Sequence, residues 1–584
     1  MNKSIFLVLI ALIGFTTSCG DSPLDAVPHD TFDAEFIFSV TKKTRDYVHN
    51  AYNVLPYPAT DNNGYNRIGS GTAMIASVTD EATPNIPGLS VQVLYDGSLS
   101  PSSSNPDNTW NHNYEYIRNV NIGLENIDLM PEADNNLKEQ WRAELKFLRA
   151  FAHFELLKRF GGIPILTESL ALGDDMDIPR DTFEETVNFI VEELDEAIPY
   201  LLPPQETADT NFGRISTGAA GALKARVLLY AASDLFNGSG YNGDGNELVS
   251  YGTSSADRWE AAAEAAADVI KLGYYSLYEK SEITDAHDDD QVKTMGEANY
   301  RELFYSLNGN RELILSRTSP QGNMVEKKNA PVGYTNGEGT TNPSQQMVDA
   351  YGMLNGKSID DPTSGYDASD PYTNRDPRFE ASILYNGKTW LGRDVETFEG
   401  GLDEVASNST RTGYYLSKFM NPSVNISGSE GSTNHSFTLF RYAEVLLNYA
   451  EAVNEAFGPD ADPYGTGLTA KQAIEEVRSR VLRPSDAQVA ATDKNAMRDV
   501  IRAERRVELA FEDHRQIDAR RWMIADEAFG ENIKGIQITQ NGSDLEYNVL
   551  PNATTRSFPT RMYLYPIPIN EMSRNNAMDQ NPLW

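Results

Sequence analysis

The side chains best suited to covalent or acid–base chemistry are scattered along this 584-residue chain. Its seven histidines stand singly, without the His-Glu-x-x-His spacing that sets two imidazoles on one helix face for zinc. No Gly-x-Ser-x-Gly turn lifts a nucleophilic serine, and no Gly-x-x-x-x-Gly-Lys loop cradles phosphate. Gly238-Ser239-Gly240-Tyr241-Asn242-Gly243 meets the dinucleotide pattern, but it comes after a predicted helix where that fold needs a strand, so it reads as a loop. Asn242, Asp244 and Asn246 alternate like calcium ligands. Glu247, however, stands where a calcium loop requires glycine, and the bidentate glutamate that should follow after five intervening residues is missing. No cofactor or metal is therefore expected, with calcium left open. The 85 Asp and Glu residues offer no identifiable glycosidase pair, because such a pair is diagnosed by a separation in space. No catalytic residue is assigned.

A different pattern appears near residue 500. Arg502, Arg505, Glu508, Glu512, Arg515, Asp518 and Arg521 recur at three- and four-residue steps, with Val500, Val507, Phe511 and Trp522 marking an apolar side. Charges at these spacings meet along one helix face. They form either a solvated face worth about 0.3 kcal/mol per pair or a partly buried ion network that locks helices together. Neither is catalytic.

The one cysteine, Cys19, rules out an intramolecular disulfide and a thiolate metal cluster. It comes after a positive Lys3, an apolar run over residues 5–15 and the small residues Thr16-Thr17-Ser18, the layout of an export signal. That run is well short of the ~20 residues needed to span a bilayer. Residues 1–18 are thus expected to be a cleaved signal peptide, Cys19 the site of lipidation and 19–35 a lipidated tether, leaving 36–584 as one domain. Acyl chains on one cysteine hold a protein at a membrane surface at ~0.8 kcal/mol per buried CH₂.

With 40% hydrophobic and 10% aromatic residues the chain is expected to fold, and its net charge of −36 repels phosphate backbones, which argues against nucleic-acid partners. Neutral or cationic ligands fit better. Helical periodicity predicts helices over 136–160, from an Asp181 cap to about 201, over 216–236, 255–272, 438–456, 469–481 and 494–524. Small residues recur in 222–231 against 259–270, and in 442–452 against 470–477, as in tetratricopeptide-type helix pairs. Regions 56–113 and 282–435 are rich in Gly, Pro, Ser, Asn and aromatics without a helical period, which predicts functional surfaces or a separate subdomain.

Several motifs then resemble the SusD/RagB outer-membrane lipoproteins of Bacteroidetes. Ile501-Arg502-x-Glu504-Arg505-Arg506-x-Glu508-Leu509-Ala510-Phe511-Glu512 through Arg520-Arg521-Trp522 resembles the family's signature helix. Glu144 to Ala150 with Phe160-Gly161-Gly162-Ile163-Pro164 is similar to its N-terminal helix. Asn374-Arg375-Asp376-Pro377-Arg378 and Thr412-Gly413-Tyr414-Tyr415 fit its middle, and Tyr563-Leu564-Tyr565-Pro566 with Gln580-Asn581-Pro582 its close. Leu583-Trp584 replaces the usual Gly-Tyr ending. The resemblance implies a mainly α, tetratricopeptide-like helix-pair scaffold with a large loop-rich insertion. It also implies a non-enzymatic cell-surface lid that binds a glycan and delivers it to a SusC-like TonB-dependent transporter in the outer membrane. A peptide-binding lid, a surface glycoside hydrolase and a purely structural lipoprotein are the alternatives. Thr79-Asp80-Glu81 resembles a motif before a loop that supplies stacking aromatics, which points to Asp80 and Tyr95; Tyr65, Tyr334 and Trp390 are further ligand-binding candidates. Trp110, at helical spacing from Tyr114 and Ile117, is assigned to the core.

Overall fold

The computed structural model describes residues 34–56 and 74–584, apart from 172, 208–210, 308, 319–321, 407, 429–432 and 543. Cys19, the export signal and Tyr65 lie outside the described residues.

Twelve helices position the site: α1 Thr41–Ala51, α2 Trp110–Asn126, α3 Asn135–Phe160, α4 Phe183–Ala197, α5 Thr217–Ala232, α6 Asp257–Lys271, α7 Asp289–Arg301, α8 Tyr442–Phe457, α9 Ala470–Ser479, α10 Lys494–Glu508, α11 Arg515–Arg521 and α12 Ile569–Arg574. They pack in succession, α2 on α3, α3 on α4, α4 on α5, α5 on α6, α6 on α8, and α8 on both α9 and α10. The two helix pairs expected from their small residues, α5 with α6 and α8 with α9, are both in contact. At Gly221 an added Cβ would stand 2.8 Å from Val269 Cγ2, so glycine is what lets α5 and α6 approach so closely. The scaffold is mostly helical and tetratricopeptide-like, as the periodicity implies.

Local chemistry sets the ends of these helices. Thr182 and Glu185 form a capping box at the start of α4, one residue beyond the expected Asp181 cap; Asp181 instead accepts the backbone N–H of Ile165 at 2.7 Å. Ser216 and Thr469 cap α5 and α9 through their hydroxyls. Gly161, at φ +81°, stops α3. Three expectations need correction. Residues 438–441 belong to a strand and α8 begins at Tyr442. The single helix expected over 494–524 is two, α10 and α11, broken where Phe511 and Asp513 take φ of +63° and +66°. Region 282–435 is not devoid of helix, since α7 lies within it behind an Asp288–Gln291 capping box.

The strands all pair antiparallel in twos, and all but the last two are short. They are Ala82–Pro84 with Thr341–Pro343, Leu313–Thr318 with Ser436–Arg441, Ile383–Leu384 with Tyr415–Leu416, Thr389–Trp390 with Arg393–Asp394, and Ile533–Asn541 with Asp544–Thr554. One buried apolar cluster runs from Phe38 to Met578, with a smaller one around Val292, Tyr300 and Leu482. The closing segment returns to the start of the scaffold. Asn581 donates to the carbonyls of Phe160 and Tyr565, Tyr565 donates its N–H to the Arg159 carbonyl, and Arg180 donates to the carbonyl of Asp579. No helix among the described residues is long and apolar enough to cross a membrane.

Candidate functional site

The N-terminal half of α2 forms one wall of a wide groove. Asn108 Oδ1 accepts the Trp110 N–H at 3.0 Å and starts the helix. The Trp110 indole packs edge-on against Phe160, centroids 5.1 Å apart, and lies 5.0 Å from Tyr114 one turn on. The Tyr114 hydroxyl donates to the Pro164 carbonyl at 3.0 Å. One face further along, Asn121 donates to the carbonyls of Leu166 and Glu168 at 3.0 and 2.9 Å, while Arg149 of α3 donates to Asn121 Oδ1 and pairs with Glu193 at 2.7 Å. The helix thus pins the segment after α3 as the second wall. The third wall is α12 with Asn575 and Met578 beyond its end. It is tied down by Asn575 donating to the Ile178 carbonyl and by Asp177 accepting from Asn576.

The groove measures about 780 Å³, with Trp110, Tyr114, Pro164, Leu166 and Met578 as apolar lining and Arg118, Glu168, Glu571 and Arg574 as polar groups. Among the described residues Arg574 has no carboxylate in ion-pair range. An apolar, aromatic-lined concavity with a few polar groups at hand is what holds a small organic ligand. It can stack a sugar's C–H face and hydrogen-bond its hydroxyls. Trp110 is both core, at 3% exposure, and lining. The reading from sequence missed Tyr114 and Arg118, whose only signal was the helical spacing that assigned Trp110 to the core, and Arg574 of α12, which nothing in the sequence marked.

Four of the residues expected to contact ligand lie elsewhere and are buried. Asp80 accepts two hydrogen bonds from Arg515, at 2.8 and 2.9 Å, and pairs with Arg506 at 2.8 Å. Burial alone would raise its carboxyl, but the two guanidiniums outweigh that and hold it at about 2. Glu81 accepts the Phe511 N–H at 3.1 Å, and burial pushes its carboxyl up to about 8. Tyr95 lies under the Arg556 guanidinium, 4.2 Å from ring centre to its carbon. Tyr334 and Trp390 are brought together, the Tyr334 hydroxyl donating to the Trp390 carbonyl at 2.8 Å and to that of Arg393 at 3.1 Å. Arg393 covers the Tyr334 ring and pairs with Asp403 at 2.7 Å. None of the four lines the groove.

The charged ladder is a buried network with Arg502 at its edge. Arg441 pairs with Glu312, Glu508 and Glu512 at 2.8, 2.6 and 2.7 Å. Arg480 and Arg378 also reach Glu508. Asp518 takes Arg505 at 3.1 Å and Arg521 at 2.8 Å, and Arg521 also holds Glu451. At the break after α10, Lys418 donates to the Ala510 carbonyl and pairs with Glu512, while Glu81 takes the Phe511 N–H, so the groups released there are satisfied. The ladder therefore locks α8, α10, α11 and the Thr79-Asp80-Glu81 segment, and its role is architectural.

The calcium-like alternation closes on itself: Asn242 donates to Asp244, which accepts the Asn246 N–H. No cluster of three or more His, Cys, Asp or Glu suited to a metal occurs among the described residues.

Known proteins share this architecture. The SusD family profile matches residues 304–584, and a profile described as starch-binding associating with outer membrane matches 34–229. SusD-like protein P38 of Formosa agariphila is 26% identical over 540 residues, covering 91% of this chain and 93% of its own. A SusD-like protein from Bacteroides fragilis superposes with a TM-score of 0.75 at 25% identity, covering 97% of this chain and all of the other. A SusD-like carbohydrate-binding protein from the same species shares the fold, with a TM-score of 0.72 at 23% identity over 93% of this chain and all of its own.

Proposed function

Since the chain belongs to the SusD/RagB family, we propose that it is a non-enzymatic, lipid-anchored protein of the outer cell surface that binds an oligo- or polysaccharide and passes it to a SusC-like TonB-dependent transporter. The observation that carries the reading is the aromatic-lined groove between α2, the 164–178 segment and α12, on a scaffold similar over nearly its whole length to SusD-like proteins, one of them called carbohydrate-binding. Tyr114 supplies ring surface, with the edge of the more deeply buried Trp110 beside it, and Arg118, Glu168, Glu571 and Arg574 supply hydrogen-bonding groups for sugar hydroxyls. Contact through Tyr65, Asp80, Tyr95, Tyr334 or Trp390 is kept as a second proposal. In the four that are described it would have to use edges, since they are 4–8% exposed. Residues 36–584 act as one domain in this reading, and Cys19 carries the anchor.

Calorimetric titration of the mature protein against a panel of neutral and acidic polysaccharides and of peptides tests it. Saturable heat with a glycan, with affinity reduced about tenfold or more by Tyr114→Ala through loss of one stacking surface, is the expected result. Binding only to peptides, or release of shorter sugars from the glycan by purified protein, would replace the reading with a peptide lid or a hydrolase.

A further inference from the structure

Most buried guanidiniums in this chain face a carboxylate, but Arg556 does not. At 6% exposure, it donates through one terminal nitrogen to the carbonyls of Ser77 and Ala82 at 2.9 and 2.8 Å. Its Nε and other terminal nitrogen are buried without an acceptor. Arg411, only half buried, has a terminal nitrogen in the same condition. Among the described residues no carboxylate lies within 4 Å of either. The acid whose charge reaches Arg556, Asp80, is already held by Arg506 and Arg515. Both guanidiniums act on one ring, Tyr95: Arg556 lies over its face and Arg411 faces its hydroxyl. The Ser77 hydroxyl, next to the carbonyl that takes Arg556, is also buried without a partner. Burial pushes the Arg556 cation down to about 9, and the like charge of Arg411 adds to that despite help from Tyr95.

A buried cation with unfilled donors and no paired charge, as Arg556 is here, is unfavourable until an anion joins it. A guanidinium fork matches the planar edge of a carboxylate or two oxygens of a sulfate, and the bonds are charge-assisted. We infer that Arg411, Arg556 and Tyr95, which are not among the lining residues of the groove, form a separate subsite for a compact oxyanion, a carboxylate or sulfate group of a glycan, with half-buried Arg411 as the entrance. That the carrier is a glycan rests on the function proposed above; a free inorganic oxyanion is the other source. The molecule as a whole, at −36, repels polyanions, so recognition of an acidic group depends on this local pair and is not a general attraction for negative charge.

The mature protein is melted in sodium sulfate against sodium chloride at equal ionic strength, then titrated with an oligoglucuronate and its neutral carboxyl-reduced counterpart. The subsite predicts a saturable rise in melting temperature with sulfate alone, and binding of the oligoglucuronate about tenfold tighter than that of the neutral sugar. Arg411→Met, with its fold checked by circular dichroism, should remove both differences, and Arg411→Lys, which keeps charge but loses the fork, should weaken both. Sulfate acting no differently from chloride on the unmodified protein overturns the subsite without recourse to any variant, as does an undiminished response in folded Arg411→Met. Equal binding of acidic and neutral sugars removes the subsite's part in glycan recognition and leaves the glycan reading intact. A saturable sulfate response with no glycan binding does the reverse.

Discussion

Two adjacent carboxyls, Asp80 and Glu81, respond to burial in opposite ways because one has guanidiniums beside it and the other chiefly a backbone N–H. Asp80 falls from 3.8 to about 2, below its unfolded value, so its pairing stabilises the fold above pH 3.8 and is lost as pH falls through about 2. Glu81 rises from 4.5 to about 8, above its unfolded value, so the contribution of its neutral form is complete below pH 4.5 and is lost as pH rises through about 8. Glu81→Gln keeps an acceptor for the Phe511 N–H and cannot ionise. Urea unfolding should show the variant matching the parent near pH 5 and exceeding it by about 2–4 kcal/mol at pH 8.5. Parallel stability curves for the two proteins from pH 5 to 8.5 would mean that Glu81 is ionised throughout. The sequence marks Asp80 as notable by its motif, but the motif carries no record of the two arginines more than 420 residues away that engage it. A ligand role and a clamp role look alike until the fold brings those partners together.

Helix boundaries were legible at several places where a side chain or glycine sets them, although the box that opens α4 was read one residue early, at Asp181 in place of Thr182. Ser216, Thr469 and Gly161 act as their types predict, and the Asp288–Gln291 box that opens α7 was equally visible but sat in a stretch dominated by loop composition. The break between α10 and α11 was not legible, because the Arg and Glu repeat continues through it and only tertiary partners, Lys418 and Glu81, satisfy the groups that the interruption frees. The strands escaped notice because most are two or three residues long. The groove was hidden for a related reason: Trp110 and Tyr114 have the spacing of core residues, and spacing cannot tell a ring that seals a core from one that also faces an opening. At the end of α11 the N–H of Ile524 bonds to the Ala519 carbonyl and that of Met523 to Arg520, a Schellman turn with Met523 at φ +55°. Both Met523→Gly and Met523→Ala delete the side chain beyond Cβ, so their difference isolates the backbone. The glycine variant should be the more stable by about 1 kcal/mol in thermal unfolding, and an alanine variant of equal or greater stability would show that this turn relaxes when the side chain goes.

Viewed whole, the molecule puts its helices in sequential contact and ties distant segments together with buried ion pairs. That arrangement explains why a degenerate repeat still folds: each helix needs only its neighbours, and the charged network fixes which neighbours they are. Replacing one partner, as in Glu508→Ala, leaves Arg441, Arg480 and Arg378 short of an anion and should cost about 3–5 kcal/mol in urea unfolding; a loss under about 1 kcal/mol would show that solvent enters the network. The proposed anchor is tested separately: Cys19→Ala should move the protein from the membrane fraction to the soluble one without changing its melting temperature, and retention in membranes would overturn attachment through Cys19. The bonds from Asn581 and Tyr565 to the end of α3 have one more consequence. A polypeptide made, or threaded through a membrane, from its N-terminus cannot complete those bonds until residues near 581 emerge. The end of α3 therefore lacks these partners until then, so this closure forms only after residues near 581 are free to fold back onto the scaffold.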